Sequence, residues 1–277
     1  MKGAPIAEKV RAQAKADAAE LGSVGLATVL VGDDPASHVY VSRKHEAAVE
    51  AGIRSVDRRL APDTSEDELL GVLAELNADD EVDGILVQLP LPDQIDEEAV
   101  LRAVEPIKDV DGFHPFNAGR LYAGHPTFVP ATALGIVVML EAYDVPLEGA
   151  RAVVVGRSTI VGKPISHLLL GANATVTICH SRTRDLAAET RAANVLVVAI
   201  GRAGLITPDM VKPGAAVVDV GITRTGEGLR GDVAPEVADV AGLLTPVPGG
   251  VGPMTIAMLL RNTVQAARYR REQLAFP

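Results

Sequence analysis

Residues 153–164 read VVVGRSTIVGKP, with one glycine directly after the valines and a second glycine six residues later. An apolar run of this kind is typical of a strand buried on both faces of a parallel sheet. Pro164 suits the first turn of a following helix, so the glycine turn would bring backbone N–H groups to a helix N-terminus, where phosphate binds. The stretch therefore predicts a strand, a turn and a helix of a nucleotide-binding sheet. Ser158 stands where the G-x-G-x-x-G pattern has its second glycine, and a plain strand-to-helix turn is an equal alternative.

The same rhythm runs along the whole chain, where short apolar runs without polar alternation alternate with segments of helical period. The strand-like runs are 26–32, 84–89, 152–156, 175–180, 195–201 and 216–221. The helical segments are 4–21, 36–51, 65–78, 96–104, 132–142, 163–170 and 253–271. Such a βαβ rhythm predicts an α/β fold. Residues 106–135, dense in Pro, Gly and Asn, are expected to form irregular surface beside a cleft.

The length and net charge of the chain indicate how many domains it has and which partners it does not bind. At 277 residues the chain has reached the size at which one hydrophobic core splits into two domains. The formal net charge is -10, so the overall field repels polyanions and a nucleic-acid partner is not expected. Any phosphate group must therefore be met by local cations and N–H groups.

The cysteine, the histidines and the apolar runs of the chain indicate its cellular compartment and whether it binds a metal. The single Cys179 excludes an internal disulfide framework and fits a reducing compartment; it is expected in the core rather than as a nucleophile. No run of eighteen apolar residues and no signal peptide is visible, so a cytoplasmic protein without a membrane partner is expected. The histidines lack ligand spacing, and no metal is expected.

The strand-like run 175–180 bears on the choice of dinucleotide. In a Rossmann unit, an acidic residue at the end of the second strand selects NAD, whereas a basic residue accommodates the phosphate of NADP. Here the chain reads CHSRT, which offers Ser181 and Arg182 and no acid. Together with Arg157, Arg182 offers a second guanidinium group to a 2′-phosphate. Each charge-assisted hydrogen bond of this kind is worth roughly 1.5–3 kcal/mol. NADP is favoured over NAD, although Arg182 alone could be a solvated loop charge.

Two further stretches carry candidate site residues. Tyr40 and Lys44 lie four residues apart in a predicted helix and so share one face, although a lone lysine is usually solvated. Residues 246–254 contain three glycines and three prolines, which make a stiff backbone that a planar ligand can approach closely. The alternative for this loop is a plain crossover before the last helix.

Six blocks in order, taken together, resemble one known family. They are VGDDPASHVYVSRK, GILVQLPLP, KDVDGFHPFNAGRL, VVGRSTIVGKP, DVGI and TPVPGGVGPMT, which span nearly the whole chain. The chain is similar over these blocks to the bifunctional methylenetetrahydrofolate dehydrogenase/cyclohydrolase family. One departure is PATA at 130–133, where the family often has PCTP, so Ala131 replaces a cysteine.

The resemblance implies an α/β enzyme of two domains, usually a homodimer. An N-terminal folate-binding catalytic domain, 1–132, would be completed by a returning C-terminal helix, 254–277, and a Rossmann-like parallel-sheet domain, 133–253, would bind NADP. The enzyme would oxidise 5,10-methylenetetrahydrofolate with NADP and hydrolyse the methenyl product to 10-formyltetrahydrofolate, so tetrahydrofolate derivatives would be its small-molecule partners.

The resemblance also implies a set of site residues. Lys44 would be the essential catalytic group with Gln88 as its hydrogen-bond partner, Tyr40 would lie along the folate, and Asp111 would hold the pterin. Further substrate contacts are expected from Leu89, Pro248, Gly249 and Gly250. The expected cofactor-binding residues are Gly156, Arg157, Ser158, Val161, Gly162, Ser181, Arg182, Ile222 and Thr255.

The chemistry of these residue types agrees with the roles that the resemblance implies. One carboxylate can accept both the ring N–H and the amino group of a pterin, which suits Asp111. Lys44 needs a lowered pKa to accept a proton near neutral pH, and Gln88 could orient its amine without adding charge. Alternatively, Gln88 satisfies a backbone group and Asp109 and Asp111 are both turn formers.

Three other functions stay open. The chain could retain only the dehydrogenase, because one sequence does not measure a hydrolytic rate. It could be a shikimate-type or other two-domain NADP dehydrogenase, against which the YVSRK and KDVDG blocks argue. It could also be a nucleotide-binding module without turnover.

Overall fold

The computed structural model describes residues 1–226 and 228–277, with all side chains in these ranges except that of Ala36. The helices are α1 (Ala4–Leu21), α2 (Pro35–Glu50), α3 (Glu66–Ala78), α4 (Glu97–Ala103), α5 (Pro115–Tyr122), α6 (Ala131–Ala142), α7 (Gly162–Gly171), α8 (Leu186–Arg191) and α9 (Val251–Arg270). The strands are β1 (Gly25–Val31), β2 (Arg54–Leu60), β3 (Gly84–Val87), β4 (Arg151–Val155), β5 (Thr175–Cys179), β6 (Val195–Val198), β7 (Ala216–Asp219), β8 (Thr223–Thr225), β9 (Gly228–Arg230) and β10 (Leu243–Leu244).

Two parallel sheets organise the chain. One has the strand order β2-β1-β3, and the other has the order β10-β7-β6-β4-β5. Every residue of β1, β3, β6 and β7 is buried, as expected of strands covered on both faces. Strands β8 and β9 form an antiparallel hairpin. The predicted α/β fold with parallel sheets is confirmed.

Contacts divide the chain into two compact units. Residues 9–131 and 256–277 form the three-stranded unit, which holds β2-β1-β3, and residues 1–8 and 132–255 form the five-stranded unit. The return of the C-terminal helix to the first domain is confirmed. Residues 1–8 were expected in that domain, yet they group with the five-stranded unit, where the Gly3 N–H donates to the Gly249 carbonyl at 3.1 Å.

The core of the three-stranded unit positions the segments that carry candidate residues. Helix α3 begins with a capping box between Ser65 and Glu68 and buries Leu69, Leu73 and Leu76. These leucines belong to a cluster with the apolar residues of β1 and β3, and each buried side chain contributes about 1.5–3 kcal/mol relative to exposure. The carboxyl ends of β1 and β3 are thereby fixed.

The sequence analysis missed β2 because its residues do not look like a buried strand. RSVDRRL carries several charges, and β2 is an edge strand with exposed and partly buried positions along its length. It nevertheless pairs in register with β1 from Gly25 to Val31. Helix α8 and the hairpin β8–β9 were missed as well, since both are short and largely exposed.

The prediction of irregular surface for residues 106–135 is wrong in part. Helix α5 lies within this stretch, with Pro115 in its first turn and the His114 ring accepting the Phe116 N–H at 3.0 Å. Val110 and Phe128 are fully buried. Turn residues dominate the composition of the stretch, but these apolar side chains join it to the core.

In the parts of the chain that the structure describes, no helix combines the length and apolar character needed to span a membrane.

Candidate active site

Helix α2 places Tyr40 and Lys44 on one face of the three-stranded unit. Its start is fixed by the Asp34 carboxylate, which accepts the Ser37 N–H at 2.8 Å, and by Pro35 in the first turn. The helix contacts β1 and β2. Tyr40 is partly buried and Lys44 is only 8% exposed, so the lysine is not the solvated residue of the alternative explanation.

Lys44 and Gln88 are in direct contact. Lys44 Nζ donates to Gln88 Oε1 at 3.0 Å. Gln88 follows β3; its backbone N–H donates to the Val29 carbonyl at 2.8 Å and its Nε2 donates to the Leu89 carbonyl at 2.6 Å. The second bond fixes the orientation of the amide, so that the oxygen faces the amine and no charge is added.

Burial moves the pKa values of Lys44 and Asp111 toward each other. Burial lowers the pKa of the Lys44 ammonium, and the nearby Asp111 carboxylate raises it in part. Burial raises the pKa of Asp111 to about 6, against the opposing effect of Lys44 and with a further rise from Asp109. Both shifts disfavour the charged form of the group, which is typical of acid–base sites.

Asp109 and Asp111 differ in their partners. The Asp109 carboxylate accepts the N–H groups of Phe113 at 3.2 Å and His114 at 2.8 Å, and the Asn117 amide at 2.8 Å. Asp109 is therefore the turn former that the sequence analysis allowed. Across residues 1–226 and 228–277, no group donates a hydrogen bond to the carboxylate of Asp111, which leaves it available to a ligand.

In the five-stranded unit, the turn after β4 requires its two glycines. Gly156 has φ +128°, and a Cβ there would lie 2.3 Å from the Ala199 carbonyl oxygen. A Cβ on Gly162 would lie 2.4 Å from the Gly156 oxygen. Side chains at these positions would force strand and helix apart, so the backbone N–H groups stay open to an approaching phosphate.

Ser158 holds this turn together. Its Oγ accepts the N–H groups of Val161 at 3.1 Å and Gly162 at 3.2 Å. Val161 is buried, whereas Ser158 and Arg157 are exposed. The hydroxyl keeps its own hydrogen for donation to a ligand, because both of these bonds use its oxygen.

The ends of β4 and β5 bring the predicted phosphate-binding residues to one sheet edge. Val155 and Cys179 are paired in register, so Arg157 lies two residues beyond one strand end and Ser181 and Arg182 lie two and three beyond the other. All three are exposed, and within the described residues neither guanidinium has a protein partner. Cys179 is 1% exposed and lies in the core, as expected.

Two buried carboxylates that the sequence analysis missed order the loops after β6 and β7. Asp232 accepts the N–H groups of Ile200 at 2.7 Å, Gly201 at 3.0 Å and Arg202 at 2.6 Å. Asp219 accepts those of Gly221 at 3.0 Å, Asp232 at 2.9 Å and Val233 at 3.0 Å. An acidic residue at the end of the apolar run AVVD was the available signal. Ile222 follows directly and is 43% exposed.

The loop of residues 245–250, just before α9, is tied to Asp219. Thr245 Oγ1 accepts the Asp219 N–H at 2.7 Å, and a cavity of about 430 Å³ is lined by both residues and Val247. Beyond it, Pro248 is exposed, Gly249 is partly buried and Gly250 is buried. In the second turn of α9, Thr255 Oγ1 lies 3.1 Å from Thr132 Oγ1.

The predicted residues thus fall into two groups. The three-stranded unit holds Tyr40, Lys44, Gln88, Leu89 and Asp111, and the five-stranded unit holds the predicted cofactor-binding residues together with Pro248, Gly249 and Gly250. Among the residues described, no group of three or more His, Cys, Asp or Glu side chains could hold a metal ion.

Comparison with known proteins identifies the family. The model of the tetrahydrofolate dehydrogenase/cyclohydrolase catalytic domain matches residues 1–111, and that of the NAD(P)-binding domain of the same family matches residues 130–271. The bifunctional protein FolD 2 of Frankia alni is 55% identical over 98% of this chain and 96% of its own.

Two solved structures resemble this chain closely. The bifunctional FolD enzyme of Campylobacter jejuni has a TM-score of 0.95 and 46% identity, covering 99% of this chain and 98% of that one. The methylenetetrahydrofolate dehydrogenase-cyclohydrolase of Trypanosoma brucei, solved with NADP cofactor and inhibitor, has a TM-score of 0.94 and 37% identity, covering 99% and 98%. The resemblance drawn from the sequence blocks is confirmed: the chain belongs to the tetrahydrofolate dehydrogenase/cyclohydrolase family.

Proposed function

We propose that the protein oxidises 5,10-methylenetetrahydrofolate with NADP and hydrolyses the methenyl product to 10-formyltetrahydrofolate. Membership of the family and the names of its relatives support both activities and the cofactor. The observation that carries the proposal is the buried Lys44 amine, held by Gln88 beside the unpaired Asp111 carboxylate. A shikimate-type dehydrogenase no longer fits, because the models of this one family match both parts of the chain.

Asp111 would bind the pterin. Its carboxylate has no hydrogen-bond donor among the described residues, and its two oxygens can accept the adjacent N–H and amino groups of the ring. Tyr40 is partly buried on the same helix face as Lys44 and would lie along the folate. Burial raises the pKa of its hydroxyl, which therefore stays protonated. The Leu89 backbone and the loop of Pro248, Gly249 and Gly250 would supply further substrate contacts.

Lys44 would act in hydrolysis. Because burial lowers its pKa, the neutral amine forms more readily than that of an exposed lysine, and it can accept a proton from the water that attacks the methenyl carbon. Gln88 Oε1 holds the amine in place, and the Leu89 carbonyl prevents the amide from turning. Asp111 opposes the fall of the Lys44 pKa, so the amine can be protonated again when the ring opens.

The five-stranded unit fits NADP. The glycine turn before α7 offers backbone N–H groups to the phosphates, with Gly156, Val161 and Gly162 shaping the turn and Ser158 donating its hydroxyl hydrogen. The exposed guanidinium groups of Arg157 and Arg182, which have no partner among the residues described, would hold the 2′-phosphate with Ser181. Ile222 and Thr255 would lie near the nicotinamide. When bound, the cofactor accepts the hydride of the oxidation step.

We also infer a homodimer in the cytoplasm. The homodimer rests on the family pattern. The compartment rests on the single cysteine, which is buried and leaves no disulfide within the chain. The predicted domain limits of 1–132 with 254–277, and 133–253, are kept as proposed limits of folate-binding and NADP-binding function.

A direct assay tests the function. Purified protein would be mixed with tetrahydrofolate, formaldehyde and either NADP or NAD, and the absorbance of NADPH and of methenyltetrahydrofolate would be followed. We expect turnover with NADP and slower turnover with NAD. Methenyltetrahydrofolate supplied alone should disappear faster than in buffer.

The remaining alternatives give different results in the same assay. Oxidation without accelerated loss of methenyltetrahydrofolate would leave a dehydrogenase alone. No turnover with either cofactor, in protein that still binds NADP, would leave a nucleotide-binding module.

A further inference from the structure

The segment 108–110 is held by side-chain and backbone bonds on every side. The Lys108 carbonyl accepts the Ile85 N–H at 2.7 Å, which attaches the segment to β3. Lys108 Nζ donates to the carbonyls of Leu76, Asn77 and Asp79 at 3.1, 2.6 and 2.8 Å. These carbonyls lie at the end of α3, so one buried ammonium caps that helix and fixes the start of the segment.

The next residue is fixed from the opposite direction. Asp109 is 5% exposed and binds the turn of residues 112–114 and the Asn117 amide. The Oδ1 atom of the same Asn117 accepts a hydrogen bond from Thr127 Oγ1 at 2.8 Å, and both residues are buried. The side chain of Asp109 therefore sets the course of the chain just after Asp111.

Val110 is bound by the C-terminal helix. Asn262, which is 2% exposed on α9, donates from Nδ2 to the carbonyls of Val110 at 2.8 Å and Val129 at 3.0 Å. A Cβ on Gly84 would lie 2.5 Å from Val110 Cγ1, so the valine has no room to shift toward β3. The three residues before Asp111 are thus anchored, while no described residue donates a hydrogen bond to its own carboxylate.

We propose that Lys108 and Asn262 are positioning residues that aim the Asp111 carboxylate at the reduced pterin. This inference rests on the proposed function of Asp111. Each residue is only 2% exposed, so neither would contact the substrate; each removes a direction in which the backbone beside Asp111 could move. A misplacement of about 1 Å is enough to weaken a two-point hydrogen bond strongly.

The test uses Asn262→Leu, which keeps the volume and removes both bonds. We expect the KM for methylenetetrahydrofolate to rise about 10-fold, with kcat and the KM for NADP nearly unchanged. The matched control is Gln265→Leu on the same helix, because Gln265 Nε2 donates to the Thr127 carbonyl at 2.8 Å without touching 108–111. The control should lose similar thermal stability and keep its folate KM.

Lys108 supplies the second variant, in case Asn262→Leu does not fold. Lys108→Met should raise the folate KM, and Lys108→Arg should restore it, because a guanidinium can still donate to the carbonyls at the end of α3. A looser segment also hydrates Asp111, so the acidic limb of the folate kcat/KM profile should move to lower pH in both defective variants.

Two failures can be told apart. If Asp111→Asn leaves the folate KM unchanged, the proposed function of Asp111 is wrong. If Asp111→Asn raises the KM but Asn262→Leu and Lys108→Met behave like Gln265→Leu, the positioning inference alone is overturned.

Discussion

Each unit of the protein contains a pair of aspartates, Asp109 and Asp111 in one and Asp219 and Asp232 in the other, and the two pairs are used differently. Asp111 in the three-stranded unit and Asp219 in the five-stranded unit both have a pKa raised to about 6, in each case mainly by burial. Asp219 is bound by three backbone N–H groups. Asp111 has no such donor within the described residues and faces the Lys44 amine.

The comparison shows that a shifted pKa does not by itself mark a group that reacts or binds. Both shifts arise because water is removed from a carboxylate. The two carboxylates differ in how many of their hydrogen-bond acceptor positions the protein already uses. The oxygens of Asp219 are used by the loops they order, whereas those of Asp111 are free for a ligand.

The largest effect should come from the amine beside Asp111. Lys44→Met should lower the hydrolysis of methenyltetrahydrofolate about 1,000-fold, since it removes the proposed general base, while NADP binding survives. Stopped-flow absorbance and a fluorescence titration measure the two quantities. The control is Lys15→Met, an exposed lysine on α1. Unchanged hydrolysis in Lys44→Met would remove Lys44 from the mechanism.

The direct test of the comparison is the same substitution at both carboxylates. Asp111→Asn should lower kcat/KM for methylenetetrahydrofolate about 50-fold with little change in thermal stability, because a charge-assisted pair of bonds to substrate is lost. Asp219→Asn should lower the free energy of unfolding by about 2 kcal/mol, because its amide N–H₂ would face backbone donors. Equal losses of stability in the two variants would abolish the distinction.

A smaller effect is expected from removing the exposed cation Arg157, which should change dinucleotide binding and leave stability unchanged. Arg157→Ala should raise the Kd for NADP about 10-fold and leave the Kd for NAD unchanged, since only NADP carries the 2′-phosphate. Thermal stability should not move, because the guanidinium has no protein partner among the described residues. Lys212→Ala, an exposed lysine of the same unit, is the control. Equal loss for both dinucleotides would refute recognition of the phosphate.

The smallest effect concerns pH. A carboxylate with a pKa raised on folding keeps its proton in the folded state while the unfolded chain releases it, so stability falls as pH rises toward 6. We expect each of Asp111 and Asp219 to contribute a loss of about 1 kcal/mol between pH 5 and pH 6. Urea unfolding should show a shallower pH dependence in either Asn variant. Bound tetrahydrofolate should cancel only the contribution of Asp111, and an unaltered slope in both variants would contradict the pKa shifts.

Sequence reasoning predicted the elements whose signals are local. Strands β1, β3, β4, β5, β6 and β7 follow from apolar runs, and helices α1, α2, α3, α4, α6, α7 and α9 follow from helical period. Strand β2 could not be found in this way, because its pairing with β1 outweighs a charged, edge-strand composition. Helix α5 lay hidden in turn residues, although His114 and Pro115 form a recognisable start.

The residues of the candidate site also differ in whether local sequence signals could predict them. Lys44, Gln88 and Asp111 came from blocks that resemble a family, and nothing local distinguished Asp111 from Asp109. That distinction depends on which carboxylate the turn of residues 112–114 occupies. Asn262 was out of reach, since the Val110 carbonyl that it binds lies 152 residues away in sequence.

The burial of Cys179 gives the molecule its own reporter. It is the single thiol of the chain, it is 1% exposed at the end of β5, and burial raises its pKa. A thiol-reactive dye would therefore register the opening of the five-stranded sheet and stay silent when only the three-stranded unit loosens. Dye labelling of the native sequence would therefore report the opening of this unit without an introduced probe.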